Sequence, residues 1–361
     1  MINRLLKGGW GLPIILLVLV SGITGGFLRT GCFVFPGQGI SMAHGLLMTG
    51  GFMGSLISME RNLEMKQKGW AIVPILSMSS AVFFILGELT VGLVLLILSS
   101  IGLIAMVYFQ SMNHPKAGKW MMLIGALCWL TGNLLVYKSN MIAMGSSWWE
   151  AFILLTIFGE RLQLSSERSW ANRYLAVLLV LFGIFFFGMF LPFHGNGTIF
   201  MGYAIVGIGT WFLVSDLHEG VLSNSSENRF CKLAILLGYT WLIGHGIWLL
   251  IGSSHPYFYD VLLHTFFLGF AFSMIWGHAP KLLPLFLNLR GTVFYDKLWW
   301  GIMVFEFSLA SRMVASILEI PPLRKVFVVI NGLVILLMFI MLLVGLVAKV
   351  RRMKETNYLI K

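Results

Sequence analysis

Hydrophobic positions in this chain do not alternate with polar ones; they run on for about 20 residues at a time, and polar residues collect in the short gaps between. Twelve such runs can be drawn, at about 10–30, 39–58, 69–88, 90–109, 118–138, 143–163, 171–193, 198–215, 230–252, 258–279, 294–316 and 324–349. A continuous run of that length is what an α-helix needs to cross a bilayer, whereas barrel strands would read as alternating stretches of about ten. The longest gap, Asp216 to Arg229, is a short polar loop. The pattern predicts an all-α polytopic membrane protein of about twelve transmembrane helices, a single integral membrane domain over residues 1–361 with no soluble domain.

Composition agrees: 58% of residues are hydrophobic and 11% charged, with a mean hydropathy of +0.89. A soluble globule carries about a quarter charged residues. Charge then orients the chain. With the N-terminus in the cytoplasm, 20 of the 25 Lys and Arg fall on the inner side, and only Arg29, Lys138, Arg312, Arg324 and Lys325 fall outside or near outer ends. That asymmetry predicts both termini in the cytoplasm. The net charge of +11 is thereby assigned to loops facing anionic headgroups, not to nucleic acid. Arg4 and Lys7 resemble the basic start of a signal peptide, but the apolar run behind them is long, and an uncleaved first helix is expected. Cys32, Cys128 and Cys231 offer no pair close in both sequence and depth. There is no Cys-x-x-Cys-His, so any haem would be held without thioether bonds.

Three histidines stand out under this topology. His44, His245 and His264 lie in the second, ninth and tenth runs, each roughly 7 to 11 Å below the outer boundary at about 1.5 Å of rise per residue. An imidazole in lipid is costly, so three at one depth suggest a shared metal or haem site; helix packing and proton relay are the alternatives. Glycines flank them, as in Gly244-His245-Gly246 and in His44 followed by Gly45, Gly50, Gly51 and Gly54. His278 follows His264 by 14 residues, which keeps it about 40° from the same face but moves it about 21 Å toward the other side. It reads as the end of a helix stopped by Pro280, as a cap or a second ligand. His114, His194, His218 and His255 fall in loops or at helix ends.

The ends of the second and sixth runs resemble each other, Leu56-Ile-Ser-Met-Glu60-Arg61 and Thr156-Ile-Phe-Gly-Glu160-Arg161. The tenth run ends four helices later in His278-Ala-Pro-Lys281, which suggests three arcs of four helices. Each Glu-Arg pair reads as an interfacial anchor and local ion pair. Glu150 sits beside Trp148 and Trp149, and Glu306 lies deep in the eleventh run, a candidate for proton transfer or for pairing with Arg312.

Twelve helices, a histidine high in the second and another high in the tenth, and three four-helix arcs resemble the core subunit of haem-copper oxidases and nitric oxide reductases. That resemblance implies that His44 and His264 hold a low-spin haem from opposite faces. The tenth helix lacks a second histidine two residues from the first, the seventh lacks an adjacent histidine pair and the sixth lacks the copper-binding histidine, so the usual oxygen-reducing binuclear centre has no ligands. In size, helix count and sparse histidine set the chain is similar to the NnrS family, divergent relatives that are haem- and copper-containing membrane proteins linked to nitric oxide stress. The stretches His44-Gly-Leu-Leu-Met-Thr-Gly-Gly-Phe and Leu263-His-Thr-Phe-Phe-Leu-Gly-Phe-Ala-Phe-Ser-Met-Ile-Trp-Gly-His-Ala-Pro carry the likeness. It implies non-covalent haem b, copper as a second metal, the bacterial inner membrane, and a role in binding a small gas such as nitric oxide or in electron transfer from a donor. His245 is then an alternative axial ligand or a donor to a haem propionate or copper. No catalytic residue is assigned. The other class of function is a secondary transporter or channel using Glu306 and the glycine-rich helices, against which no pair of helices looks broken by Pro and Gly at mid-depth.

Overall fold

The computed structural model describes residues 11–33, 38–65, 67–113, 116–164, 175–218, 225–287 and 289–359. Arg4, Lys7, Lys66, His114, Arg168, Arg173 and Lys361 lie outside the described residues. Every described element is helical, and ten helices are long and apolar enough to cross a membrane by length and composition. The predicted second run is not among the ten because it is divided into consecutive helical pieces, and the seventh is the shorter Leu175–Met189. The chain separates into two compact units, Met1–Glu167 with Phe286–Asn288 and Arg168–Leu285 with Leu289–Lys361.

Unit 1 begins with α1 (Gly11–Arg29). The second run follows as α2 (Gln38–Met42), α3 (His44–Leu46), a π-helical segment Leu47–Gly54 and α4 (Ser55–Leu63). Then come α5 (Ile72–Ile85), α6 (Leu89–Asn113), α7 (Ala117–Ser139) and α8 (Ser146–Leu164). Residues 149–156 of α8 are buried on every side, and α8 packs along α7. Packing uses the means available in lipid, small residues and buried hydroxyls. Gly118 on α7 and Gly159 on α8 approach so closely that a Cβ on either would collide with the other's carbonyl oxygen. Ser99 on α6 donates to the Val73 carbonyl of α5 at 2.9 Å, and Trp149 Nε1 donates to Asn133 Oδ1 at 3.0 Å.

Unit 2 comprises α9 (Leu175–Met189), a short π turn Phe193–Gly197, α10 (Thr198–His218) and α11 (Ser226–Ile251). The predicted tenth run is α12 (Phe258–His264), a second long π-helical segment Thr265–Phe272, and α13 (Ser273–Phe286). Last come α14 (Leu298–Ile317) and α15 (Pro321–Leu359). On α14 the exposed face is apolar (Trp300, Met303, Val304, Phe307, Val314), while the buried face carries Ser308, Arg312 and Ser316. Apolar outside with polar inside is the arrangement a lipid-facing helix requires.

Pro280 does not stop its helix, contrary to the expectation from the sequence: α13 runs on to Phe286 with Pro280 and Pro284 inside it. The reason is local. Pro284 has no N–H to give the Pro280 carbonyl one turn back, and that carbonyl instead accepts Val293 N at 2.9 Å and Thr292 Oγ1 at 3.1 Å. The lost helical bond is replaced by the returning chain.

Candidate functional site

In unit 1, Ala43 (φ −86°, ψ 3°) separates α2 from α3 and turns His44 toward α1. The imidazole Nδ1 lies 2.7 Å from the Gly22 carbonyl oxygen, and the ring rests over Gly26, where an added Cβ would come within 3.1 Å of Cε1. A carbonyl only accepts, so Nδ1 carries the hydrogen and Nε2 carries the lone pair.

In unit 2, His264 ends α12. Its Nδ1 lies 2.6 Å from the Asp260 carbonyl oxygen one turn back and 3.2 Å from Asp260 Oδ1. Both are acceptors, which again leaves the lone pair on Nε2. The Asp260 carboxylate is held in turn by Arg312 Nη2 (2.8 Å), Ser316 Oγ (3.0 Å) and Arg324 Nη1 (3.1 Å), and the Arg324 guanidinium stacks 4.4 Å from the centre of the Tyr257 ring. A carboxylate behind the non-ligating nitrogen fixes the tautomer and raises the basicity of the other nitrogen, the arrangement found behind metal-ligating histidines. Arg312 is therefore not the partner of Glu306, as the sequence had suggested. Six residues along a helix place the two about 120° apart.

Each of these histidines leads directly into a π-helical segment of eight residues, Leu47–Gly54 three residues after His44 and Thr265–Phe272 immediately after His264. π-Helical turns are rare and concentrate at functional sites. The wider winding leaves carbonyls to be satisfied by neighbours: Ser77 Oγ on α5 donates to the Gly50 carbonyl at 2.8 Å. In unit 2 the segment brings Gly269 against the indole of Trp241, where a Cβ would fall 2.5 Å from Trp241 Cγ. Trp241 Nε1 then donates to Glu306 Oε2 at 2.6 Å, and Ser273 Oγ donates to Oε1 at 2.7 Å. Both Glu306 oxygens are thus engaged within the apolar span, as a mid-helix carboxylate demands.

His245 is fully buried and turns to a different face of the α12 turn. Its Nδ1 lies 3.0 Å from the Leu262 carbonyl oxygen and 3.4 Å from Thr265 Oγ1, and its ring lies 5.3 Å from that of Phe266. Leu262 and Phe266 leave the helix about 160° round from His264. His278 is half-buried, with Nδ1 2.7 Å from the Met274 carbonyl of its own helix. His194 meets the Tyr259 hydroxyl at 2.6 Å, and His255 Nε2 meets the Ile317 carbonyl at 3.1 Å. Among the described residues no group of three or more His, Cys, Asp or Glu could hold a metal ion.

The two Glu-Arg motifs are not separate anchors. Arg61, 4% exposed, reaches Glu160 at 2.6 Å as well as Glu60 at 3.2 Å and Glu64 at 3.1 Å, while Gln110 Nε2 donates to the Arg61 carbonyl at 2.9 Å. They form one network joining α4, α6 and α8.

Sequence reasoning did not single out Asp260 or connect it to Arg312 and Arg324. The signal was present: an acid four residues before a histidine in an apolar helix shares its face. The π-helical segments had no sequence signal beyond the glycines.

No curated protein and no solved structure matches the chain. Residues 10–348 match the family model described as Domain of unknown function (DUF8744). With that match running over nearly all of its helices, the chain is a member of the DUF8744 family.

Proposed function

We propose that this is a haem-binding membrane protein of twelve spans, arranged as in the haem-copper oxidase and NnrS families, with His44 and His264 as the axial ligands. The observation that carries the reading is the shared design of the two histidines: each has Nδ1 committed to a carbonyl acceptor, presents the lone pair on Nε2, and leads into an eight-residue π-helical segment. Neutral imidazole anchored through its other nitrogen is the donor that haem iron takes, so each imidazole taken by itself suits the group. Bound haem supplies a redox centre and a binding position for a diatomic gas such as nitric oxide. Asp260 keeps His264 in the ligating tautomer, and the Gly22 carbonyl does the same for His44. Copper, the second metal of this reading, has only single imidazoles available, His245 or His278, because no three-ligand group exists among the described residues. The location proposed is a bacterial inner membrane with both termini cytoplasmic, and the role is small-gas response or electron transfer.

The full-length protein purified from haem-replete cells should show a Soret band that is lost or shifted in His44→Ala and in His264→Ala, with the helical circular dichroism retained. A colourless preparation that haem addition does not change sinks this reading. It would favour the second one, a transporter or channel working through Glu306, for which the specific observation is a mid-span carboxylate held by Trp241 and Ser273 beside a departure from α-helical winding.

A further inference from the structure

Asp260 sits where three helices of unit 2 meet: the start of α12, the end of α14 and the start of α15. Its two oxygens serve four donors, Oδ1 with Arg312 Nη2 and His264 Nδ1, Oδ2 with Ser316 Oγ and Arg324 Nη1. The carboxylate has no room for more. Yet Arg312 Nε and Arg324 Nε are both buried without a hydrogen-bond partner, and the Arg312 side chain is 5% exposed. The charges do not balance either: one carboxylate faces two guanidiniums and an imidazole whose Nδ1 hydrogen it already accepts. The acid of the adjoining α14–α15 turn, Glu319, is 55% exposed and lies 3.6 Å from His255 Nε2. A surplus positive charge and two buried N–H donors on arginines that share one carboxylate are costly in an apolar protein end unless an anion answers them.

We propose that Arg312 and Arg324 hold an oxyanion, a carboxylate or phosphate group, that accepts from the two Nε–H groups. The guanidinium fork suits this chemistry, because a planar arrangement of N–H donors matches the spacing of oxyanion oxygens. Asp260 is the built-in strut that aims both arginines, and the Arg324 side chain, 14% exposed and stacked on Tyr257, is the side from which the anion enters. The same oxyanion chemistry can come from a free anion or from the phosphate of a lipid headgroup. The site stands on the arginine geometry alone and does not depend on haem.

The test uses the full-length, haem-free protein, delipidated in a neutral detergent, so a failure of the haem reading leaves it intact. Inorganic phosphate and formate are titrated at constant ionic strength against chloride, with thermal unfolding as the readout. The same measurement is made in nanodiscs of phosphatidylglycerol and of phosphatidylcholine. Arg324→Lys keeps a cation beside Asp260 and removes the Nε donor. A saturable rise in the parent's midpoint with phosphate or formate, weakened about tenfold or more in apparent affinity by Arg324→Lys, supports a free-anion site. Stabilisation by phosphatidylglycerol alone, lost in the same variant, supports a headgroup site. A parent that responds to none of these, or parent and variant that respond equally, overturns the proposal. If Arg324→Lys does not fold, Arg312→Lys, which also keeps its charge, is read in the same way.

Discussion

The His44 and His264 regions are built to the same local plan and supported differently. Both place an imidazole at the head of an eight-residue π-helical segment with Nδ1 tied to a carbonyl. His44 has the neutral Gly22 carbonyl of a neighbouring helix behind its Nδ1. His264 has Asp260 of its own helix, and behind Asp260 stand two arginines and a serine. A carboxylate behind an imidazole makes it a stronger donor than a carbonyl does, so the two positions are unequal as ligands. On the haem reading proposed above, His264 would be the anchor and His44 the ligand that an incoming gas displaces.

The largest effect expected from this contrast lies at Asp260. Asp260→Ala removes the acid that pairs with both Arg312 and Arg324 and leaves two charges buried together. It should destabilise the protein by about 3–5 kcal/mol, seen as a sharp loss of folded protein in thermal or denaturant unfolding. Gly22 contributes only a backbone carbonyl, so no single side-chain deletion on α1 has a comparable consequence. A variant at Asp260 as stable as the parent breaks the comparison.

A middle-sized effect separates the ligands. On the proposed haem reading, His264→Ala should lose haem outright, whereas His44→Ala should retain haem through the remaining histidine and bind nitric oxide to the reduced form faster than the parent, in which His44 would first have to leave. Stopped-flow absorbance of reduced protein reads this directly. Equal haem loss in both variants, or faster binding in His264→Ala, reverses the assignment of anchor and leaving ligand.

The smallest effect concerns the π-helical segments. Ser77→Ala withdraws the donor from the Gly50 carbonyl and should cost about 0.5–1 kcal/mol, with little change at His44. Gly269→Ala, by contrast, pushes Trp241 away from Glu306 and should alter tryptophan fluorescence as well as stability. Matching responses in both variants would show that the two segments are equivalent after all.

The rough positions of the long apolar helices could be read along the chain because a span is a local property: about 20 apolar residues satisfy their own backbone within one segment, and no partner is needed to recognise it. Each of the ten long apolar helices overlaps a run drawn from the sequence, most of them extending beyond it at one end or both. What failed was what depends on a second segment. Pro280 looked like a stop, but the helix runs on through it and Pro284, and Thr292 and Val293 cap the Pro280 carbonyl that Pro284 cannot serve. Glu306 and Arg312 looked like partners because they are near in sequence, but helical rotation separates them, and Trp241, Ser273 and Asp260 take their places. Glu60-Arg61 and Glu160-Arg161 read as two copies of one motif, and tertiary packing makes them one network.

By itself, then, the sequence determined the membrane class and the identity of the candidate histidines, since both follow from the cost of placing particular residues in an apolar medium. Tertiary structure alone decided that His44 Nδ1 is committed to Gly22 and that Arg312, Ser316 and Arg324 gather on the Asp260 behind His264. It also decided where winding widens from α to π, because each of these is set by atoms contributed from helices distant in sequence or by the room that neighbouring helices leave.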